Sequence, residues 1–142
     1  MRVLYHLPLS PHSRKVRLAL GEKRLPFDLR YEKTWERRDA FLELNPAGLV
    51  PVLAEDNGLV IPDSQAICEY LDEAYTETPL LGGTIAERVE TRRLVAWFDG
   101  KFAREVTDNL LGEKHFRRLT GRGNPDTATI RLGYTALRYH LE

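Results

Sequence analysis

The sequence predicts an α/β domain followed by an all-α region, and three features predict it. Over the first 75 residues, short β-rich runs alternate with apolar stripes of helical spacing in the order βαβαββα. Residues 76–84, with Pro79 and Gly82-Gly83, break every periodic pattern. From Ala86 onward, apolar residues recur only at helical spacing. The expected organisation is a first domain over residues 1–78, a linker over 79–85 and a helical domain over 86–142.

Residues 2–6 are apolar and β-rich and run into the two prolines of Leu7-Pro8-Leu9-Ser10-Pro11-His12, so a strand closes in this loop. Ser13 is the expected N-cap of a helix of about ten residues, striped by Val16, Leu18, Ala19 and Leu20, with Arg14, Lys15, Arg17 and Glu22 on the wet side. Residues 27–31 alternate after Pro26 and read as a second strand. Ala40, Phe41 and Leu44 make a short helix over 39–44, stopped by Asn45-Pro46-Ala47-Gly48. Leu49-Val50-Pro51-Val52-Leu53 and Leu59-Val60-Ile61, joined across Asp56-Asn57-Gly58, form an antiparallel pair. Asp63-Ser64 then open a helix striped by Ala66, Ile67, Tyr70, Leu71 and Ala74.

In the second half, Val89, Leu94, Val95, Trp97, Phe98, Phe102, Val106, Leu110 and Leu111 predict one long amphipathic helix from 86 to about 111. Residues 112–125 are polar and basic and read as a loop, after which Asp126 caps a last helix through Ile130, Leu132, Tyr134, Leu137 and Leu141. Two antiparallel helices bury only the seam between them, so the remaining apolar stripes call for further helices or a second subunit. The helical domain is expected to be incomplete.

Composition excludes several function classes. A chain of 142 residues is long enough for one good domain, or for one compact domain plus part of a second, and too short for two full-sized domains. Lys and Arg total 21 against 21 Asp and Glu, so there is no cationic excess for a phosphate backbone, and no nucleic-acid partner is expected. No apolar run approaches the ~18 residues of a membrane span, and the start lacks a signal-peptide stretch; a soluble, cytoplasmic protein with no membrane partner is expected. Cys68 has no partner for a disulfide, and four scattered histidines lack metal-ligand spacing, so no metal is expected. No glycine-rich fingerprint follows the first strand, which argues against a dinucleotide.

Four segments carry a family resemblance: Ser10-Pro11-His12-Ser13-Arg14-Lys15-Val16-Arg17, the run from Asn45 to Leu53, Asp63-Ser64-Gln65-Ala66-Ile67, and Pro79-Leu80-Leu81. In order and spacing the chain resembles the glutathione S-transferase superfamily, with a thioredoxin-like first domain and a truncated helical second. The resemblance implies glutathione as co-substrate, a small electrophile as second substrate, held largely by the helical half, and a two-fold homodimer. A helical half this short is expected to leave the turnover of this chain impaired. A non-enzymatic interaction or regulatory module on the same fold is the alternative. Thiol–disulfide exchange would want a cysteine where Ser10 stands.

The resemblance assigns Ser10 as the catalytic residue, and its position beside a helix N-terminus suits a hydroxyl that stabilises a thiolate. Read alone, Ser10 and Ser13 are helix caps, and His12 is a rival base or a surface loop residue. Val50 before Pro51 matches the family's cis peptide, which turns the Val50 backbone outward toward the cysteinyl unit of glutathione; a proline opening a strand in trans is the other reading. Asp63 and Ser64 join a carboxylate, a hydroxyl and helix N-terminal amides, suited to the ammonium and carboxylate of the γ-glutamyl end. The family more often has Glu than Asp there. Arg37 stands where some members place a cation near the glycyl carboxylate, with Lys33 and Arg38 as rivals. Trp97, Phe98 and Phe102 line either an apolar pocket or a packing seam. Cys68 reads as a small core residue.

Overall fold

A computed structural model describes residues 1–142. The chain forms two compact units, Met1–Gly83 and Thr84–Glu142.

The first unit contains β1 Val3–His6, α1 Pro11–Glu22, β2 Asp28–Tyr31, a 3-10 turn Thr34–Glu36, α2 Asp39–Leu44, β3 Val52–Ala54, β4 Val60–Pro62 and α3 Ser64–Ala74. The sheet order is β2-β1-β3-β4, with β1 parallel to β2 and β3 antiparallel to both of its neighbours. Side chains alternate across β1. Leu4 therefore enters the main core with Val16, Ala19 and Leu20 of α1, Leu53 of β3, and Ile67 and Leu71 of α3. Tyr5 faces the other way, its ring 5.8 Å from Phe41 of α2. The result is the mixed four-stranded sheet and helical layers of a thioredoxin-like domain.

The start of α1 differs from the sequence reading. Ser10, not Ser13, is the N-cap, and helix begins at Pro11. Proline stops a helix in its interior but is welcome at the first position, where its missing N–H has no intrahelical acceptor and its φ is already helical. Likewise β3 starts at Val52, so Leu49 and Val50 lie outside the ladder.

After α3, the chain is pinned back to the same unit. The Lys23 ammonium bonds Asp72 Oδ1 at 2.9 Å and the carbonyls of Tyr75 at 2.8 Å and Thr78 at 2.7 Å. Asp72 in turn accepts from the N–H groups of Leu80 at 2.7 Å and Leu81 at 3.3 Å. One buried ion pair thus fixes the backbone of residues 75–81.

The second unit opens with α4 Ile85–Ala96, capped reciprocally by Thr84 and Glu87. It runs without a break into a π-type stretch Trp97–Phe116, then α5 Arg117–Leu119. Residues 112–119 are therefore helical, not a loop. Their charges form a solvated face, tied by Arg117 to Glu113 one turn back at 3.0 Å. The helix stops at Gly121, whose φ of +70° is costly for other residues; the N–H of Arg122 closes on the Arg117 carbonyl at 2.9 Å, and that of Gly121 on Arg118 at 3.2 Å.

The last helix, α6 Thr127–Leu141, is capped by Asp126 and returns antiparallel along the π-type stretch. Tyr134 meets Lys114, Gly133 meets Leu110, and His140 meets Trp97 and Glu105. The aromatic stripe is part of this packing: the His140 ring lies 5.5 Å from Trp97 and 5.1 Å from Phe102, which is 5.5 Å from Phe98. No helix is long and apolar enough to cross a membrane.

Candidate functional site at one end of the sheet

Strand register brings four separate segments of the first unit to one end of the sheet. Tyr5, Val52 and Pro62 form one row across β1, β3 and β4. Beyond that row β1 feeds the loop to Ser10, β3 is preceded by Val50-Pro51, and β4 is followed by Asp63-Ser64. Because β1 and β2 are parallel and His6 pairs with Tyr31, the segment from Glu32 to Arg37 also leaves at this end.

Ser10 is only 8% exposed and is held in extended conformation at the mouth of α1. Its Oγ accepts from the Ser13 N–H at 3.2 Å, and its own N–H donates to the Leu7 carbonyl at 3.0 Å. Ser13 is fully buried, and its hydroxyl oxygen accepts from the Leu7 N–H at 3.3 Å. A serine hydroxyl has one proton and two lone pairs. Capping occupies a lone pair of Ser10 and leaves the proton to donate, so capping and stabilising an anion are compatible. The amides of α1 contribute less than the sequence suggested, since Pro11 has none and Ser13's is taken by Ser10.

The Val50–Pro51 peptide is cis. The turn before it is shaped by Asn45, whose side-chain amide donates to the Leu49 carbonyl at 2.9 Å while its Oδ1 accepts from the Ala47 N–H at 3.2 Å. Gly48 adopts φ +67°, and a Cβ there would lie 3.2 Å from Leu42 Cδ2 and 3.5 Å from Arg37 Nη1. The Arg37 guanidinium therefore lies against the turn that leads to Val50.

Arg37 separates from its rivals on its partners. Lys33 pairs with Glu36 at 3.2 Å, and Arg38 is spent on the buried Glu32 carboxylate through its Nε at 3.2 Å and its Nη2. Arg37 is exposed and has no carboxylate partner. Sequence distance carries no record of which cation the buried Glu32 claims.

Asp63 has φ +75°, a left-handed-side conformation that costs a residue with a Cβ about 1 to 3 kcal/mol and that gathers at functional sites. Its Oδ1 accepts from the N–H groups of Gln65 at 2.8 Å and Ala66 at 3.0 Å. Those amides are thus engaged by Asp63 itself, and the residue is exposed. Ser64 is buried at the first helical position, 5% exposed. Ser13 is the residue that the sequence reading undervalued, although the Ser-x-x-Ser spacing is that of an N-cap and the third residue of its helix.

A model of the glutathione S-transferase N-terminal domain matches residues 4–79. The chain belongs to the glutathione S-transferase family. FtsZ-localized protein A of Caulobacter vibrioides is 52% identical to this family member over 99% of the chain and 63% of its own length. A solved glutathione S-transferase of Rhodospirillum rubrum F11 is 55% identical, with a TM-score of 0.97 over 99% of this chain and 64% of that one. One from Sinorhizobium meliloti 1021 is 38% identical, with a TM-score of 0.92 and coverage of 99% and 64%. This transferase-family chain thus spans a little under two thirds of the length of its relatives.

Proposed function

We propose that the Met1–Gly83 unit binds glutathione at this end of the sheet and that Ser10 stabilises the bound thiolate for attack on an electrophile. The observation that carries the reading is the row Tyr5, Val52, Pro62, beyond which the segments of Ser10, Val50, Asp63-Ser64 and Arg37 emerge together. Their chemistry matches the tripeptide end to end. Asp63 meets the γ-glutamyl ammonium, Ser64 the adjacent carboxylate, and Arg37 the glycyl carboxylate. Val50, outside the ladder, has backbone groups to pair with the cysteinyl unit in the manner of an added strand. That leaves the sulfur at Ser10. Titration calorimetry with glutathione tests the reading: one-to-one binding weakened by Arg37→Ala and Ser64→Ala is expected, and no binding by a folded chain would overturn it.

A second reading rests on the 52% identity to FtsZ-localized protein A along 99% of this chain. In it the fold is an interaction module that locates with FtsZ, with or without bound glutathione. Retention of the chain on immobilised FtsZ supports that reading, and its absence at all concentrations tested removes it.

A further inference from the structure

Behind the Ser10 loop lie two buried nitrogens that the proposed glutathione site does not use. His6 ends β1 and is 6% exposed, yet its Nδ1 has no hydrogen-bond partner. It shares the face of Leu4, two residues earlier, and so points beneath α1. The charge that acts on it comes from α1: Arg17, whose Nε is also buried without a partner. From β2, Tyr31 is its register neighbour, and the Glu32 carboxylate beyond it is committed to Arg38. Arg17 reaches on to the loop itself, donating from Nη2 to the Pro8 carbonyl at 3.3 Å.

The segment between β1 and Ser10 is tied to α1 by Arg17 to Pro8 and by the Leu7 N–H to Ser13 Oγ at 3.3 Å, while Ser10 itself is held by its N–H to the Leu7 carbonyl at 3.0 Å, by the Ser13 N–H to its Oγ at 3.2 Å and by the Arg14 N–H to its carbonyl at 3.0 Å. Pro8 and Leu9 at its tip are exposed. A neutral imidazole with one unmet nitrogen is tolerable in such a place. An imidazolium is not, because it adds a second positive charge in the field of Arg17 and leaves a buried charged N–H donor without a partner. The cheapest relief is to move the loop and admit water.

We propose that His6 is a pH-operated support of the Ser10 loop, closed on α1 while the ring is neutral and released, with loss of glutathione affinity, when it is protonated. The loop movement stands on the fold alone, and the affinity change rests on the glutathione reading. Burial, reinforced by Arg17, holds the ring below the ordinary imidazole value of 6.5, so release belongs on the acid side of that value. Below the midpoint, affinity falls by up to about tenfold per pH unit.

Amide NMR of the chain from about pH 8 to about pH 5 tests this, following the His6 ring proton together with the Leu7, Ser10 and Ser13 amides. The expected result is one shared midpoint, moved toward the ordinary value by Arg17→Met and abolished by His6→Gln, which hydrogen-bonds without titrating. Loop amides that ignore His6 protonation, or a midpoint indifferent to Arg17→Met, would overturn it. If His6→Gln does not fold, the Arg17→Met midpoint decides. Calorimetry with glutathione across the same range should show affinity falling at that midpoint. A shared loop midpoint with glutathione bound at no pH would strike the function reading and leave the His6 support standing, whereas pH-independent affinity would overturn the regulatory half.

Discussion

The backbone N–H of Ser13 donates to the side-chain oxygen of Ser10 at 3.2 Å. That bond holds the hydroxyl oxygen against α1 by occupying a lone pair and leaves its proton free to donate. The cap is therefore compatible with the proposed chemistry.

Asp63 combines two duties that a substitution can separate. Asn caps helices about as well as Asp and tolerates positive φ better than most residues, but it carries no charge. Asp63→Asn should therefore leave thermal stability within about 1 kcal/mol while weakening glutathione binding by about 1 to 3 kcal/mol, the cost of a charge-assisted contact. Equal affinity of the two forms by calorimetry would remove Asp63 from the site.

Asp72 should govern an acid limb of stability. Burial pushes its carboxyl up, but bonds from the Leu80 N–H, the Lys23 ammonium and the Leu81 N–H outweigh this and hold it below the usual 3.8. A carboxyl held low in the fold stabilises it above the unfolded value, and that contribution is lost as pH falls through the folded one. Stability measured by urea unfolding should fall below about pH 5, with a shallower fall in Asp72→Asn. At neutral pH, Asp72→Ala should cost about 3 to 5 kcal/mol, because it leaves the Lys23 ammonium buried without its counter-charge.

Two helical glycines should respond with opposite signs. A Cβ at Gly133 would fall 2.8 and 2.9 Å from Leu110 Cδ2 and Cγ and 3.0 Å from Asn109 Cβ, whereas one at Gly112 meets nothing within 4 Å. Gly112→Ala should raise stability by up to about 1 kcal/mol through helix propensity alone. Gly133→Val should lower it by about 1 to 3 kcal/mol, since α6 cannot approach the π-type stretch as closely. Thermal unfolding of both variants checks the contrast.

Much of the first unit was legible because its elements carry their own period. Ala40, Phe41 and Leu44 mark α2 over the very residues it occupies, and Asp56-Asn57-Gly58 announces the turn between β3 and β4. What was missed depends on partners rather than on period. Pro11 reads as a breaker until Ser10 is known to cap the helix. Residues 112–119 look like a loop because a fully solvated helical face and a loop have the same polarity; the Glu113–Arg117 spacing was the available signal. Arg37 could not be told from Arg38 until the buried Glu32 was seen to claim one of them.

The central claim is that Ser10 donates to the sulfur of bound glutathione. Its most direct measurement is an ultraviolet titration of thiolate absorbance in the glutathione complex of the native chain and of Ser10→Ala, after calorimetry has established saturation of both. Losing one donor to a charged group costs about 1.5 to 3 kcal/mol, or roughly one to two pKa units, while contacts at the ends of the peptide keep affinity nearly unchanged. The account predicts that the alanine form binds glutathione as well and titrates one to two units higher. Coincident titration curves would contradict it and leave Ser10 as the N-cap of α1 alone.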